Sequence, residues 1–153
     1  MNIELIQDWV KSLLDANAAL TASGAVKLMD DGTYPKTPSR ESALNEGGLV
    51  IVVWEPDGGQ LLNMGTTGTG VQEIYVPILI EENVTVNRTP STGTEMPALE
   101  AARHVQAALS GKRPAANSPF VLLPVDSLKR LPPFNGVQQV LCMFSINSAI
   151  SPA

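Results

Sequence analysis

One cysteine and one histidine serve the whole chain of 153 residues. A lone Cys142 cannot close an internal disulfide, so the sequence carries no secreted disulfide framework. With His104 the sole histidine, no Cys/His cluster supplies the three or four ligands that a zinc site needs. Cys142 has no second histidine to activate it, and it reads as a buried structural thiol on a strand. Charge is scarce too: 16% of residues are charged, against about 25% in an average soluble domain. The balance is acidic, at −5. A non-specific DNA or RNA binder would carry a basic patch, so no nucleic-acid binding is expected, sequence-specific or otherwise. Anionic membrane surfaces are disfavoured for the same reason. No apolar run approaches the ~18 residues of a membrane-spanning helix. The start, NIELIQDWV, is acidic and amphipathic rather than a signal peptide, which makes the cytosol of the producing cell the expected place of synthesis.

What is present is apolar surface. At 44% hydrophobic, the chain is far from the disordered class and long enough to bury a core. One domain over residues 1–153 is expected. Val71–Val86 (VQEIYVPILIEENVTV) is the longest β-like run. Ile74, Val76, Ile78 and Ile80 share one parity, hence one strand face; Glu73, Tyr75, Pro77 and Leu79 share the other, which is half apolar. Pro77 cannot donate to a ladder, so it belongs at an edge, a bulge, or a bend between sheet regions. Glu81-Glu82-Asn83 breaks the apolar parity and reads as a kink.

In chain order, residues 2–20 predict a helix, with Ile3, Ile6, Val10, Leu13, Leu14 and Asn17 in its stripe and Gly24 at its stop. A short strand over 25–29 and a turn at Asp30-Asp31-Gly32 follow. Residues 33–48 form a long connection with Pro35 and Pro38. Such connections are uncommon inside compact domains, and this one is either an arm that orders on a neighbouring subunit or a surface loop without a role. Residues 49–55 (LVIVVWE) predict a strand, and Pro56-Asp57-Gly58-Gly59 a hairpin turn after which 60–64 pairs back. The glycine-rich GTTGTG at 65–70 has no GK[ST] ending and leads into a strand rather than a helix. It is therefore a hairpin tip rather than a phosphate site. Residues 88–95 form a second long loop, and Ser91 to Glu95 offer a cap to a helix over 96–110 that Gly111 ends. Its buried face is Ala98, Ala101, Ala102, Val105, Ala108 and Leu109. Phe120 to Leu123 predict a short strand, 126–133 a connection, and 137–150 a last strand. At about 3.3 Å per residue that strand would span some 45 Å, and a bend is expected.

The expected fold class is α+β: a mixed, mainly antiparallel β-sheet flanked by two α-helices, with long loops. Candidate chemistry is thin. Glu100 and His104 form an i,i+4 pair, read as a solvated surface pair. Glu81 and Glu82 point to opposite faces and do not converge on a cation. No catalytic residue, metal ligand or cofactor is expected, and the chain is not read as an enzyme. Strands 49–55, 71–80 and 137–146 each carry apolar residues on both faces, whereas two helices cover one face. The other face needs a second layer. Leaving several Ile and Val side chains wet would forfeit several kcal/mol at about 25 cal/mol per Å². A homo-oligomer is therefore expected, with Val71, Ile74, Tyr75, Val76, Pro77, Leu79, Pro35 and Pro38 at the subunit interface.

The helix IELIQDWVKSLL, the strands GLVIVVWE and VQEIYVPILI, and the glycine-ended helix ALEAARHVQAAL occur in that order. This pattern resembles the tail terminator and tail-completion (neck) proteins of long-tailed bacteriophages, over residues 3–150. The resemblance lies in element order and transfers no functional residues. It implies a structural virion protein, assembled in the host cytoplasm into a ring, often six-fold. Such a ring caps the tail tube and offers a surface to the head connector. A negative lumen would let DNA slide without sticking; a lumen lined with Lys112, Arg113, Lys129 and Arg130 would contradict that. Two alternatives remain: a binding module that takes a peptide strand at its sheet edge, and a small enzyme with a site between subunits.

Overall fold

In the computed structural model of the chain, residues 3–22, 27–30, 44, 47–54, 57–62, 70–88, 96–116, 120–125, 128–134 and 136–150 are described. In chain order they form α1 (Ile3–Asp15), α2 (Ala18–Ala22), β1 (Lys27–Asp30), β2 (Leu49–Val53), β3 (Asp57–Leu62) and β4 (Gly70–Asn83). Then come α3 (Val84–Asn87), α4 (Ala98–Leu109), β5 (Val121–Pro124), β6 (Lys129–Phe134) and β7 (Val137–Ile150). The expected α+β class is what forms. Among the described residues seven strands make one sheet, mainly antiparallel, with β1 and β2 the parallel pair. Pro35 and Pro38, the helix stop expected at Gly24, the cap expected from Ser91–Glu95, and the GTTGTG tip up to Thr69 lie outside the described residues.

β4 and β7 are the spine. They pair antiparallel in one register, from Gly70 opposite Ile150 to Asn83 opposite Val137. No register shift marks the bend expected in β7. Each long strand carries two short strands end to end on its outer side. β2 lies against Ile78–Glu82 of β4 and β3 against Val71–Tyr75. β6 lies against the first half of β7 and β5 against Phe144–Asn147. Pro77 sits where β2 gives way to β3, and its carbonyl accepts from the Trp54 N–H at 3.1 Å. Its missing N–H therefore falls in the gap between two neighbours, where the ladder asks for no donor.

Four expectations are corrected. The chain does not kink at Glu81-Glu82-Asn83; the strand runs through Asn83, whose side chain caps α3. Residues 57–62 pair with β4 rather than back onto β2, and Asp57–Gly59 lies in a strand with a register shift. That shift lets two glycines sit in a bulge instead of a turn. The connection at 126–133 contains most of β6. The first helix is two: the turn breaks at Ala16, and the Asn17 side chain accepts from the Leu20 N–H at 3.1 Å to start α2. Asn17 thus acts as a cap and not as a member of the stripe.

The core lies between one sheet face and the helices. Ile6, Val10 and Leu14 of α1, Leu20 of α2, and Ala101, Ala102, Val105 and Leu109 of α4 cover even-numbered residues of β4 and β7. The alanines let α4 approach the sheet closely. Gly111, at φ +75°, ends α4 as its sequence implied.

Candidate assembly surface

The sheet face away from the helices is where the expected interface residues separate. Ile74 and Val76, at 3% and 0% exposure, belong to the helix-side core. This corrects their expected place at a subunit contact: strand parity turns them inward. Tyr75 and Pro77 are half-buried on the opposite face. Leu79, also on that face, is buried in a small cluster with Leu44, Val50 and Val52, packed by Trp54, Leu131 and Val137. Part of the surplus apolar sheet is therefore covered within the chain. Val71 lies in β4 opposite Ala149, and its side chain is outside the described set.

What remains is a strip along the spine. Pro77 faces Met143 across the ladder and Tyr75 faces Ser145. Leu123 of β5 also faces Ser145, and Val125 follows, its N–H donating to the Met143 carbonyl at 3.0 Å. Leu123 and Val125 are 41% and 40% exposed. Met143, Leu123 and Val125 are not among the contact residues expected from sequence. Their signal is the odd-residue parity of β7 and the apolar run before Asp126.

Among the described residues, the outer edges of β3, β5 and β6 are blunted. Leu122, on the outer side of β5, exchanges hydrogen bonds with Gly111 and Lys112 at 2.7 and 2.9 Å, and Pro124 ends that strand. β6 carries Lys129, Arg130, Pro132 and Pro133, and β3 is bulged. Charges, prolines and bulges are the devices that stop strand addition.

A polar cluster marks the end of β4. Glu82 is fully buried. Its Oε1 accepts from the Ala98 N–H at 3.0 Å; its Oε2 accepts from Asn87 Nδ2 at 2.7 Å and Arg88 Nε at 3.2 Å. Pro97 precedes α4 without a side-chain cap, so the Glu82 carboxylate serves as the cap from another element. An anion at that helix end is favoured by the orphan N–H groups and the macrodipole. Asn87 Nδ2 also donates to the Met96 carbonyl at 2.8 Å. This cluster ties the β4 end to the α4 start. As expected, Glu81 points the other way, accepting from Gln139 Nε2 at 3.0 Å.

Other candidate chemistry stays apart. His104 Nε2 is 3.9 Å from Glu100 Oε1, and both side chains are partly exposed. Burial pushes the Cys142 thiol up to about 12, so its thiolate is scarce at neutral pH. Among the described residues no group of three His, Cys, Asp or Glu could hold a metal ion, and no helix is long and apolar enough to cross a membrane. Between the C-terminal ends of α1 and α4 lies a shallow groove of about 250 Å³.

No family model matches the chain, and no curated protein matches it. The fold does recur. One chain from the virion of a native gene transfer agent particle superposes with a TM-score of 0.59 at 17% identity. The match covers 94% of each chain. At that identity the likeness is one of fold.

Proposed function

We propose that the chain is a structural protein of a phage-like virion: a ring subunit of the tail terminator or neck type, capping the tail tube and meeting the head connector. The observation that carries this reading is the fold likeness to a gene transfer agent virion protein over 94% of both chains. A match over nearly the whole of both chains means the same element order and not one shared motif. The half-buried strip of Tyr75, Pro77 and Met143, with Leu123 and Val125 exposed beside it, supports it further. Surface of that kind marks contact with other chains. On this reading the protein works by shape and self-association, without a catalytic residue or cofactor. It acts in the virion after assembly in the host cell.

Imaging of the purified, untagged protein tests the proposal. Closed rings with a central opening, which bind the ends of finished tail tubes, are expected. Particles without rings, together with tube ends left bare, would contradict it. The alternative of a module that accepts a peptide strand loses ground from the blunted edges of β3, β5 and β6.

A further inference from the structure

The charges of this chain are divided. Residues 1–100 hold 14 acidic and 5 basic residues, and residues 101–153 hold 1 and 5, so the two stretches carry formal charges of −9 and +4. The fold turns that division in sequence into a division in space. The strands run β1-β2-β4-β7-β5 across the sheet, with β3 on β4 and β6 on β7. Every described strand before residue 100 therefore lies on one side of the β4–β7 line, and every described strand after it on the other. The helices follow: α1 packs on β1 and β2, and α4 mainly on β7.

The basic side ends in an edge. Among the described residues β6 pairs with β7 alone, and its Lys129 and Arg130 are exposed. Lys112 is exposed at the end of α4, where its carbonyl accepts from the Leu122 N–H of β5. The acidic side ends in α1, which carries Glu4, Asp8 and Asp15 against Lys11. Leu13 lines the groove toward Ala107 and Ala108 of α4. At about 100° per residue, Asp8 and Asp15 lie about 140–160° around the helix from Leu13, on the flank away from α4. Both are exposed. The width of the sheet separates the two ends, so they cannot meet within one chain.

We propose that the α1 flank of one copy docks beside the β6 edge of the next, setting Asp8 and Asp15 against Lys112, Lys129 and Arg130. Charge names the occupant. Copies with a net charge of −5 repel one another in most orientations, and this one brings unlike ends together. Each contact uses one end of each copy, so it is heterologous, repeats head to tail, and closes into a ring where the rotation allows. It rests on the assembly reading above and names the surfaces that reading leaves open.

Charge reversal tests it. Asp8→Lys with Asp15→Lys makes both ends basic; Lys129→Glu with Arg130→Glu makes both acidic. All four positions are exposed, so the core is spared. Masses are measured by sedimentation over a range of concentrations, with melting curves as the folding control. The wild type is expected to exceed two chains in low salt. Each variant alone is expected to stay at one chain, and their equimolar mixture to assemble again, because every contact in an alternating assembly then joins unlike ends. Either variant assembling like the wild type, or a mixture that stays at one chain, overturns the contact and leaves the assembly reading standing. A wild type that stays at one chain throughout removes both. If that single chain retards duplex DNA, and Lys129→Glu with Arg130→Glu abolishes the retardation, the basic edge belongs to nucleic acid instead. Should a variant melt, the wild type decides alone: its association is expected to weaken at least about tenfold toward 1 M salt, where screening acts within about 3 Å. Association unchanged by salt would overturn the contact.

Discussion

On one face of the β4–β7 ladder, Ile74, Val76, Ile78 and Ile80 are at most 3% exposed beneath α1 and α4. On the other face Tyr75 and Pro77 stay half-buried, and Leu123 and Val125 stand out at about 40%. The same two strands build both faces, so backbone pairing does not account for the difference. Covering does. The first face holds the fold together; the second keeps apolar area exposed, which the proposed assembly would bury. Mutations should separate the two.

The largest effect is expected at the corner where β2, β4 and α3 meet. Gly48 has φ +83°, and a Cβ there would lie 2.4–2.7 Å from Asn87 backbone and side-chain atoms. Gly48→Val is expected to leave no cooperative folding transition, since both the left-handed backbone and the clash oppose it. A cooperative melt near the wild-type temperature would refute the close approach. Next comes the helix-side core. Phe144→Ala is expected to cost about 3–5 kcal/mol in urea unfolding. Met143→Ala, one residue along and facing outward, should cost under about 1 kcal/mol, in keeping with a position outside the core. Equal losses would mean that the two faces do not differ as described.

Glu82→Gln is expected to cost roughly 2–3 kcal/mol, because the Ala98 N–H and the Asn87 amide lose a charged acceptor in a buried place. Arg88 is half exposed, so its share is small. Glu100→Gln, on the solvated pair with His104, should move stability by less than about 0.5 kcal/mol. The last effect is a pH dependence, absent at neutral pH. With its folded value raised to about 12 from 9.0, the Cys142 thiol favours the folded state fully below pH 9. That stability is lost as pH rises from 9 toward 12, because the unfolded thiol ionises first. At pH 10 the loss is about 1.4 kcal/mol relative to pH 8, and Cys142→Ala should lack that component. An unchanged difference between the two pH values in the variant would exclude Cys142 as its source.

Strand parity makes much of this fold readable. The alternation from Ile74 to Ile80 names the core face of β4, and the spacing from Ala98 to Leu109 names the buried face of α4. The pairing partner of β3 is not readable. Asp57-Gly58-Gly59 has turn chemistry, and only the tertiary ladder with β4 turns it into a bulged strand. Glu82 reads as a break in the pattern because an acid in an apolar run is ambiguous. Its meaning depends on the start of α4, sixteen residues on. The outward strip is legible only in part. Sequence shows that a residue is apolar on a given parity, but not which face the chain's own helices will take. Ile74 and Val76 are therefore misplaced by sequence reasoning, while Leu123 falls in a short strand and Val125 just after it, with little periodicity to read.

On the assembly reading proposed above, the outward face is completed by further copies of the chain. Light scattering on untagged protein over a wide range of concentrations tests it most directly. A mass of six or more chains, held over that range, is expected. A mass of one chain at every concentration would contradict it.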